Sequence, residues 1–457
     1  MSLTERGRID HDKKRNISVL YVNQVSYPGS RAVRLRRYDT VSKNRLFLTA
    51  RNGGLTIFDI SQPENPIRVF ATNDDETDDG RMGRGEMYAR RGRSTPASTM
   101  ECFEGQDMSP DGRYFAVASP CSGEIRVYDM TNGIRNSSSI EDVPVVVASV
   151  VLWPTSSALH VRWMQPSDGP SHEEEGGDED GATRHSRRSS SRRSHTQNLV
   201  VSNPGRLWDA VQNRWIDEVP SEIEDGIIVL RFEKVEEDTE ISLSASTSSR
   251  YSLRIVGHVS PGNVNGTESI TLLRPEPFLL IGGFRSNDLD LIDITDAEKP
   301  RLVESVSDPS YRQMVGAYED GFAYLGMWGT PGGLAIFAVQ DEKNPKKAHT
   351  TKTKTIQHIS SLLSDELSST NRVKLAYRSA LAVLPLETPR GGAFGIVDIS
   401  NVFNLSMACD VVDIQGAGEN DTTYALELDS TESYIYVAPT DGTLRIYSLG
   451  VDFSLGV

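Results

Sequence analysis

Cysteine is scarce in this chain. There are three, Cys102, Cys121 and Cys409, and no two stand in a CxxC spacing. A zinc ribbon or a redox pair is therefore not expected, and the three read as free thiols in a reducing compartment. Long hydrophobic runs are also missing. No stretch approaches the roughly 18 apolar residues of a membrane-spanning helix, so no membrane span is expected. The N-terminal stretch MSLTERGRIDHDKKRN is charged and has no apolar core, so no secretory signal is expected either. Without one, the Asn-x-Ser/Thr sequons at Asn16, Asn136, Asn265, Asn404 and Asn420 read as chance. Positive charge is in deficit: the net charge is −16, which argues against a general nucleic-acid surface. Familiar catalytic signatures are absent. There is no GxGxxG after a strand, no GxxxxGK[ST], no HExxH and no GxSxG. Composition and length agree with one large soluble unit located in the cytoplasm or the nucleus.

What the chain does have is a repeat. A seven-residue pattern occurs seven times: a turn residue, any residue, an apolar one, any residue, two apolar ones, then often Asp. The copies run from Gly53 (GGLTIFD), Gly123 (GEIRVYD), Asp225 (DGIIVLR), Asn287 (NDLDLID), Gly332 (GGLAIFA), Gly392 (GAFGIVD) and Gly442 (GTLRIYS). Gly, Asn and Asp are the residues that tolerate a positive φ at a turn. Each copy follows a second short apolar run, such as RLFLTA from Arg45 or YIYVAP from Tyr434, and the two together read as a hairpin. A further run lies upstream, and a fourth often follows, such as PIRVFAT from Pro66. Four strands at a spacing of about 45–50 residues is the signature of propeller blades. The expected fold is all-β, a seven-bladed β-propeller spanning 17–457 after a flexible tail, 1–16. The last copy ends near the C-terminus, so Ile17 to Val25 (ISVLYVNQV) is expected to supply the missing outer strand and close the ring.

Blade one reads LFLTARNGGLTIFDISQPENPIRV, blade four LIDITDAEKPRLV and blade five IFAVQDEKNPKKA. Pro66, Pro300 and Pro345 follow the Asp position at one fixed distance. These segments resemble the LVIVD-repeat β-propellers, in a WD40-like arrangement. That resemblance implies a fold rather than a reaction. The recurring Asp59, Asp129, Asp293 and Asp398 stand at strand ends before an apolar residue and then Ser or Thr. They read as turn residues whose side chains accept backbone N–H bonds.

Function is sought where the repeat is broken. Blade three carries an insertion, 167–196, with an acidic half and a basic half and no large apolar side chain, so it is expected to be disordered. Arg-Arg-Ser occurs within it at Ser189 and Ser194, a pattern that basic-directed kinases accept. A second insertion, 204–222, places Leu207, Val211 and Trp215 at helical spacing beside Trp208, so a short helix is expected. It either packs on its own blade or presents Trp208 and Trp215 to a partner. The linker 72–98 between blades one and two should share its face of the ring, and the insertion 167–196 should leave by the opposite face.

Aligning the inner strands places Arg34, Glu104, His160, Ser269, Met314, His358 and Tyr424 at one level around the channel. Glu104, His160, His358 and Tyr424 could serve as acids and bases; the bland alternative is a wet channel whose polar groups meet only water. The expected function is a protein-interaction scaffold, with Trp208, Trp215 and Arg34 as binding residues and other proteins as partners. The alternative is a small-molecule enzyme (a cyclase, an isomerase or a lactone hydrolase) using the four channel residues. No metal, cofactor, nucleic acid or membrane is expected, and a monomer is.

Overall fold

The computed structural model describes residues 16–26, 32–38, 45–50, 54–72, 103–130, 144–152, 158–164, 196–205, 207–209, 214–216, 225–235, 251–283, 286–308, 314–341, 354–370, 372–388, 391–418, 421–429 and 431–452. The strands follow the chain blade by blade. Strand β1 (Asn16–Ser26) comes first. Blade one is β2 (Ala32–Tyr38), β3 (Arg45–Ala50), β4 (Gly54–Asp59) and β5 (Ile67–Ala71). Blade two is β6 (Gly105–Met108), β7 (Tyr114–Ser119), β8 (Glu124–Asp129) and β9 (Val145–Val151). Blade three starts with β10 (Val161–Trp163) and β11 (Gln197–Pro204). A separate hairpin, β12 (Leu207–Asp209) with β13 (Arg214–Ile216), intervenes before β14 (Asp225–Lys234) and β15 (Tyr251–Val259) complete the blade. Blade four is β16 (Thr267–Leu272), β17 (Phe278–Gly283), β18 (Asp288–Asp293) and β19 (Arg301–Ser307). Blade five is β20 (Met314–Glu319), β21 (Phe322–Met327), β22 (Gly332–Asp341) and β23 (Lys354–Ser364). Blade six is β24 (Lys374–Ala376), β25 (Leu381–Thr388) and β26 (Gly391–Asp398), edged by the short β27 (Ser406–Met407) and β28 (Val412–Asp413). Blade seven is β29 (Thr423–Leu428), β30 (Tyr434–Pro439) and β31 (Thr443–Asp452), and β1 pairs with β31 as its outer strand.

The seven-bladed β-propeller and its closure are therefore as the sequence implied. The β1–β31 ladder is antiparallel from Asn16↔Asp452 to Ser26↔Thr443, with a bulge at Val22. The inner strands β2, β6, β10, β16, β20, β24 and β29 each contact the next, and β29 returns to β2.

The repeat pattern has a simple cause. Every blade is buried on both faces, and a strand sends alternate side chains to opposite faces. Seven hydrophobic clusters result, one at each blade-to-blade interface. Leu55 and Ile57 pack toward blade two, whereas Phe58 packs toward blade seven. The same division holds in the other copies: Leu289 and Leu291 face blade five while Ile292 faces blade three, and Leu444 and Ile446 face blade one while Tyr447 faces blade six. An apolar, any, apolar, apolar run is what a strand needs to fill two interfaces at once.

The recurring Asp acts as read. Asp59, Asp293 and Asp398 each accept the backbone N–H two residues on, from Ser61 at 2.8 Å, Thr295 at 2.9 Å and Ser400 at 2.8 Å. Three of the set also hold an arginine of a flanking strand or turn: Arg45 on Asp59 at 3.2 Å, Arg113 on Asp129 at 3.3 Å and Arg301 on Asp293 at 2.8 Å.

Two expectations are corrected. Residues 204–222 were expected to hold a helix, but the chain forms the hairpin β12–β13, with Trp208 and Trp215 as cross-strand partners. The helical spacing of Leu207, Val211 and Trp215 competes with the strand-forming pair of tryptophans, and β11 and β14 are already aligned up to Pro204↔Asp225, which brings the ends of the insertion together as a hairpin requires. Cys121 was expected to be a free thiol and is disulfide-bonded, while Cys409 is free and half-buried. Spacing in sequence does not report the tertiary proximity that a disulfide needs. The tail 1–15, the interior of the linker (73–98) and residues 167–195 of the insertion lie outside the described residues.

Candidate functional site

The topology gives the ring two unlike faces. Links from one blade to the next and the turns between second and third strands share one face, which also carries the β12–β13 hairpin. Turns between first and second strands and between third and fourth strands share the other.

On the linking face, six of the seven aligned positions fall on or beside an inner strand. Arg34 lies on β2, Ser269 on β16, Met314 on β20 and Tyr424 on β29, while Glu104 and His160 immediately precede β6 and the extended run into β10. The inner ladders bulge here, between Ala32 and Arg34, between Thr267 and Ser269, and between Thr423 and Ala425, so Tyr424 is itself a bulged residue. His358 is the exception and is a correction: it belongs to β23, the outer strand of blade five, where it is exposed and its ring meets Phe337 edge-on at 5.3 Å. The reason is pattern strength. Strand β23 runs for eleven residues, whereas the true inner strand of blade six is only Lys374–Ala376. The buried polar side chains near that strand are Thr370, Arg372 and Ser379.

Glu104 and His160 are on neighbouring blades, as expected, but both are withdrawn from solvent, at 1% and 0% exposure. The Glu104 carbonyl accepts from Thr49 Oγ1 at 3.3 Å, and the His160 N–H donates to Ser202 Oγ at 3.0 Å. Gly105 explains the tightness, since a Cβ there would collide with the Leu159 carbonyl oxygen and the His160 Cα. Ser269 is equally buried and exchanges hydrogen bonds with Gly282, accepting at 3.1 Å and donating at 3.3 Å.

Polar chemistry is richer toward the opposite face. Asp107, 0% exposed, accepts from the Trp163 N–H at 2.9 Å and from Arg274 Nη2 at 3.0 Å; Arg274 Nη2 also donates to the Trp163 carbonyl at 2.8 Å. One carboxylate thus ties blades two, three and four together. Blades four and five are tied by Lys354, which bridges Glu276 at 2.7 Å and Asp341 at 2.9 Å. Burial works to lower the Lys354 pKa, but the two carboxylates outweigh it and hold the ammonium above its ordinary value. Lys374 on Glu427 at 2.7 Å ties blades six and seven, and Tyr434 on Glu64 at 2.6 Å ties seven and one. Between blades four and five a cleft of about 610 Å³ is lined by Glu276, Phe278, Asp293, Lys299, Arg301 and Lys354 among others. Its volume is in the range of small-molecule sites, and most of its charges are already paired with one another. Among the described residues no group of three His, Cys, Asp or Glu side chains could hold a metal ion, and no helix is long and apolar enough to cross a membrane.

Sequence reasoning missed Asp107, Arg274, Lys354, Lys374 and Glu427. Asp107, Lys374 and Glu427 left a signal: each is a single charge on a short inner strand (GQDM, KLA, TYALEL) whose neighbours are buried. A charge in such a place must find a partner.

Comparison with known proteins agrees with the geometry. Residues 40–74 match the family model of the LVIVD repeat. No curated protein matches the chain in sequence. Among solved structures, the β-propeller domain of Myceliophteria thermophila Cps50 (Swd1) is similar, with a TM-score of 0.54 at 10% identity, covering 95% of this chain and 100% of that one. At that identity the likeness concerns the fold alone. The chain is a seven-bladed β-propeller that carries an LVIVD repeat in its first blade.

Proposed function

We propose that the protein is an interaction platform whose partners are other proteins, and that Trp208 and Trp215 anchor one of them. The observation that carries this reading is the β12–β13 hairpin. It is a two-stranded sheet of its own, inserted between two strands of blade three that pair in register as though it were absent. A two-stranded hairpin alone is marginal in water, and paired tryptophans on one are the residue type most enriched among interface anchors. Arg34 lies near the start of β2, toward the same face, and is proposed to contribute there. The protein is proposed to act as a monomer. A cytoplasmic or nuclear location belongs to the same proposal, and the Cys121 disulfide weighs against a reducing compartment.

The enzyme alternative draws no specific support, because Glu104 and His160 offer a substrate almost no exposed surface, and His358 is not on an inner strand. The test uses crosslinking to identify a bound protein, then titration of that protein. Trp208→Ala with Trp215→Ala should weaken binding by about thirtyfold, and His160→Gln should leave it unchanged. Turnover of a metabolite that falls with Glu104→Gln or His160→Gln, in protein whose melting temperature is unaltered, would overturn the proposal.

A further inference from the structure

The hairpin β12–β13 stands apart from the ring. Its two strands contact each other, and among the described strands neither meets a third to a comparable extent. Each of the two therefore has one edge whose backbone N–H and C=O groups take no ladder partner among the described residues. A two-stranded ribbon of this kind is marginal in water, and a third strand is what makes such a sheet stable. A free edge is also a template on which an extended segment of another chain can pair.

Register decides what such a segment would meet. Residues directly opposite in an antiparallel ladder share a face, and neighbours along a strand alternate. Trp208 and Trp215 are opposite one another and share one face, while Leu207, Asp209, Arg214 and Ile216 share the other. A residue of a third strand that pairs beside either tryptophan joins the tryptophan face. The local charge is negative: from Pro204 to Asp225 there are six acidic residues (Asp209, Asp217, Glu218, Glu222, Glu224 and Asp225) against two arginines, Arg206 and Arg214. Indole is the side chain that receives a cation best, and an acidic surround favours the same charge.

We propose that the hairpin takes up an extended lysine- or arginine-bearing segment of a partner protein as a third strand, with basic side chains laid against the Trp208–Trp215 pair. Alternation puts every second residue of that segment on the tryptophan face, so basic residues at every second position fit best. The net charge of −16 steers such a segment toward the ring. The proposal rests on the reading of the hairpin as an anchor, and adds the form and the charge of what it binds.

The test uses the full chain and a fluorescein-labelled ten-residue probe of alternating Lys and Thr. One control carries Gln at every Lys. Another carries Pro at every Thr and cannot extend a ladder. Fluorescence anisotropy should show saturable binding of the Lys–Thr probe, with both controls at least tenfold weaker. Trp208→Leu with Trp215→Leu keeps apolar bulk and charge but removes the indoles, and should weaken binding about tenfold. Replacing 206–223 with an Asn-Gly turn joins β11 to β14, which already pair to Pro204↔Asp225. That variant should lose binding and keep its melting temperature; should it fail to fold, the double Leu variant decides alone. No binding of the Lys–Thr probe would overturn the proposal. So would equal binding of either control, or an unchanged affinity in the double Leu variant. The protein identified by crosslinking separates the two readings. If it still needs Trp208 and Trp215 while the probe does not bind, the anchor stands and this inference falls; if it does not need them, both fall.

Discussion

Blade seven ends in a continuous outer ladder, β1 on β31, that runs from Asn16↔Asp452 to Ser26↔Thr443. Blade six, its neighbour, has only β27 and β28, which touch β26 at Val397, Asp398, Ala393 and Phe394. The difference is in what covers the edge. In blade six the two short strands and the chain around them insert side chains instead: Leu405, Met407 and Val411 pack toward blade five, and Ala408, Cys409 and Val412 toward blade seven. In blade seven a segment from the other end of the chain supplies backbone pairing, with Ile17, Val19 and Val25 packed beneath it. An outer edge needs to be covered, and either backbone or side chains will serve. Only the second solution links the two ends of the chain, and so only it resists opening of the whole ring.

The sharpest break of that comparison is removal of residues 1–26. It withdraws three half-buried apolar side chains and exposes the whole length of β31. A loss of about 3 kcal/mol or more is expected from the burial alone, with aggregation through the bared edge in addition. Replacing 406–413 with a Gly-Ser chain of equal length should cost less, about 2 kcal/mol, since little ladder is lost. Thermal unfolding of the two variants ranks them. Equal melting temperatures would show that the β1 ladder does no more than the side-chain cover of blade six.

Polar ties offer the next comparison. Asp107 is fully buried and its partner Arg274 is a third exposed, whereas Glu298 and Arg231 form a tie between blades three and four at the surface. Asp107→Ala should destabilise the protein by about 2–3 kcal/mol, because the Trp163 N–H loses its acceptor and Arg274 loses its carboxylate partner, while Arg274 keeps the Trp163 carbonyl and can still reach water. Glu298→Ala should cost about 0.5 kcal/mol or less. Urea unfolding of both variants, read at constant m-value, checks the ratio.

How much of this could be read in advance follows from the same physics. The blade count, the hairpins and the closing strand were legible because each interface repeats one demand, seen in Leu55, Ile57 and Phe58 and again in Leu444, Ile446 and Tyr447. The turn role of Asp59 and Asp293 was legible because an Asp before an apolar residue and Ser or Thr has a local hydrogen-bonding reason to be there. Tertiary pairings were not. Nothing local says that Asp107 meets Arg274, far along the chain, or that Cys121 is oxidised. The hairpin at Trp208 was hidden because its residues also fit a helical stripe, and His358 was misplaced because an outer strand outscored a three-residue inner one.

The smallest expected effect concerns the insertion of blade three. It enters after Met164 and leaves at Thr196, and the strands on either side, β10 and β11, pair directly from Val161↔Val201 to Trp163↔Leu199. The ends of the insertion are therefore held by the ladder and not by the insertion. Loop closure depends only weakly on length, so shortening the segment changes little in the unfolded chain. Replacing 167–196 with a short Gly-Ser linker should leave stability within about 1 kcal/mol. The comparison with blade seven then has a clear lower bound: thirty residues inside the chain matter less than the few that form β1. Thermal and urea unfolding of the shortened protein decide it. A loss comparable with that of the 1–26 deletion would mean that the insertion packs on the blade, and that the ring is held together on the face opposite the hairpin as much as at its outer edge.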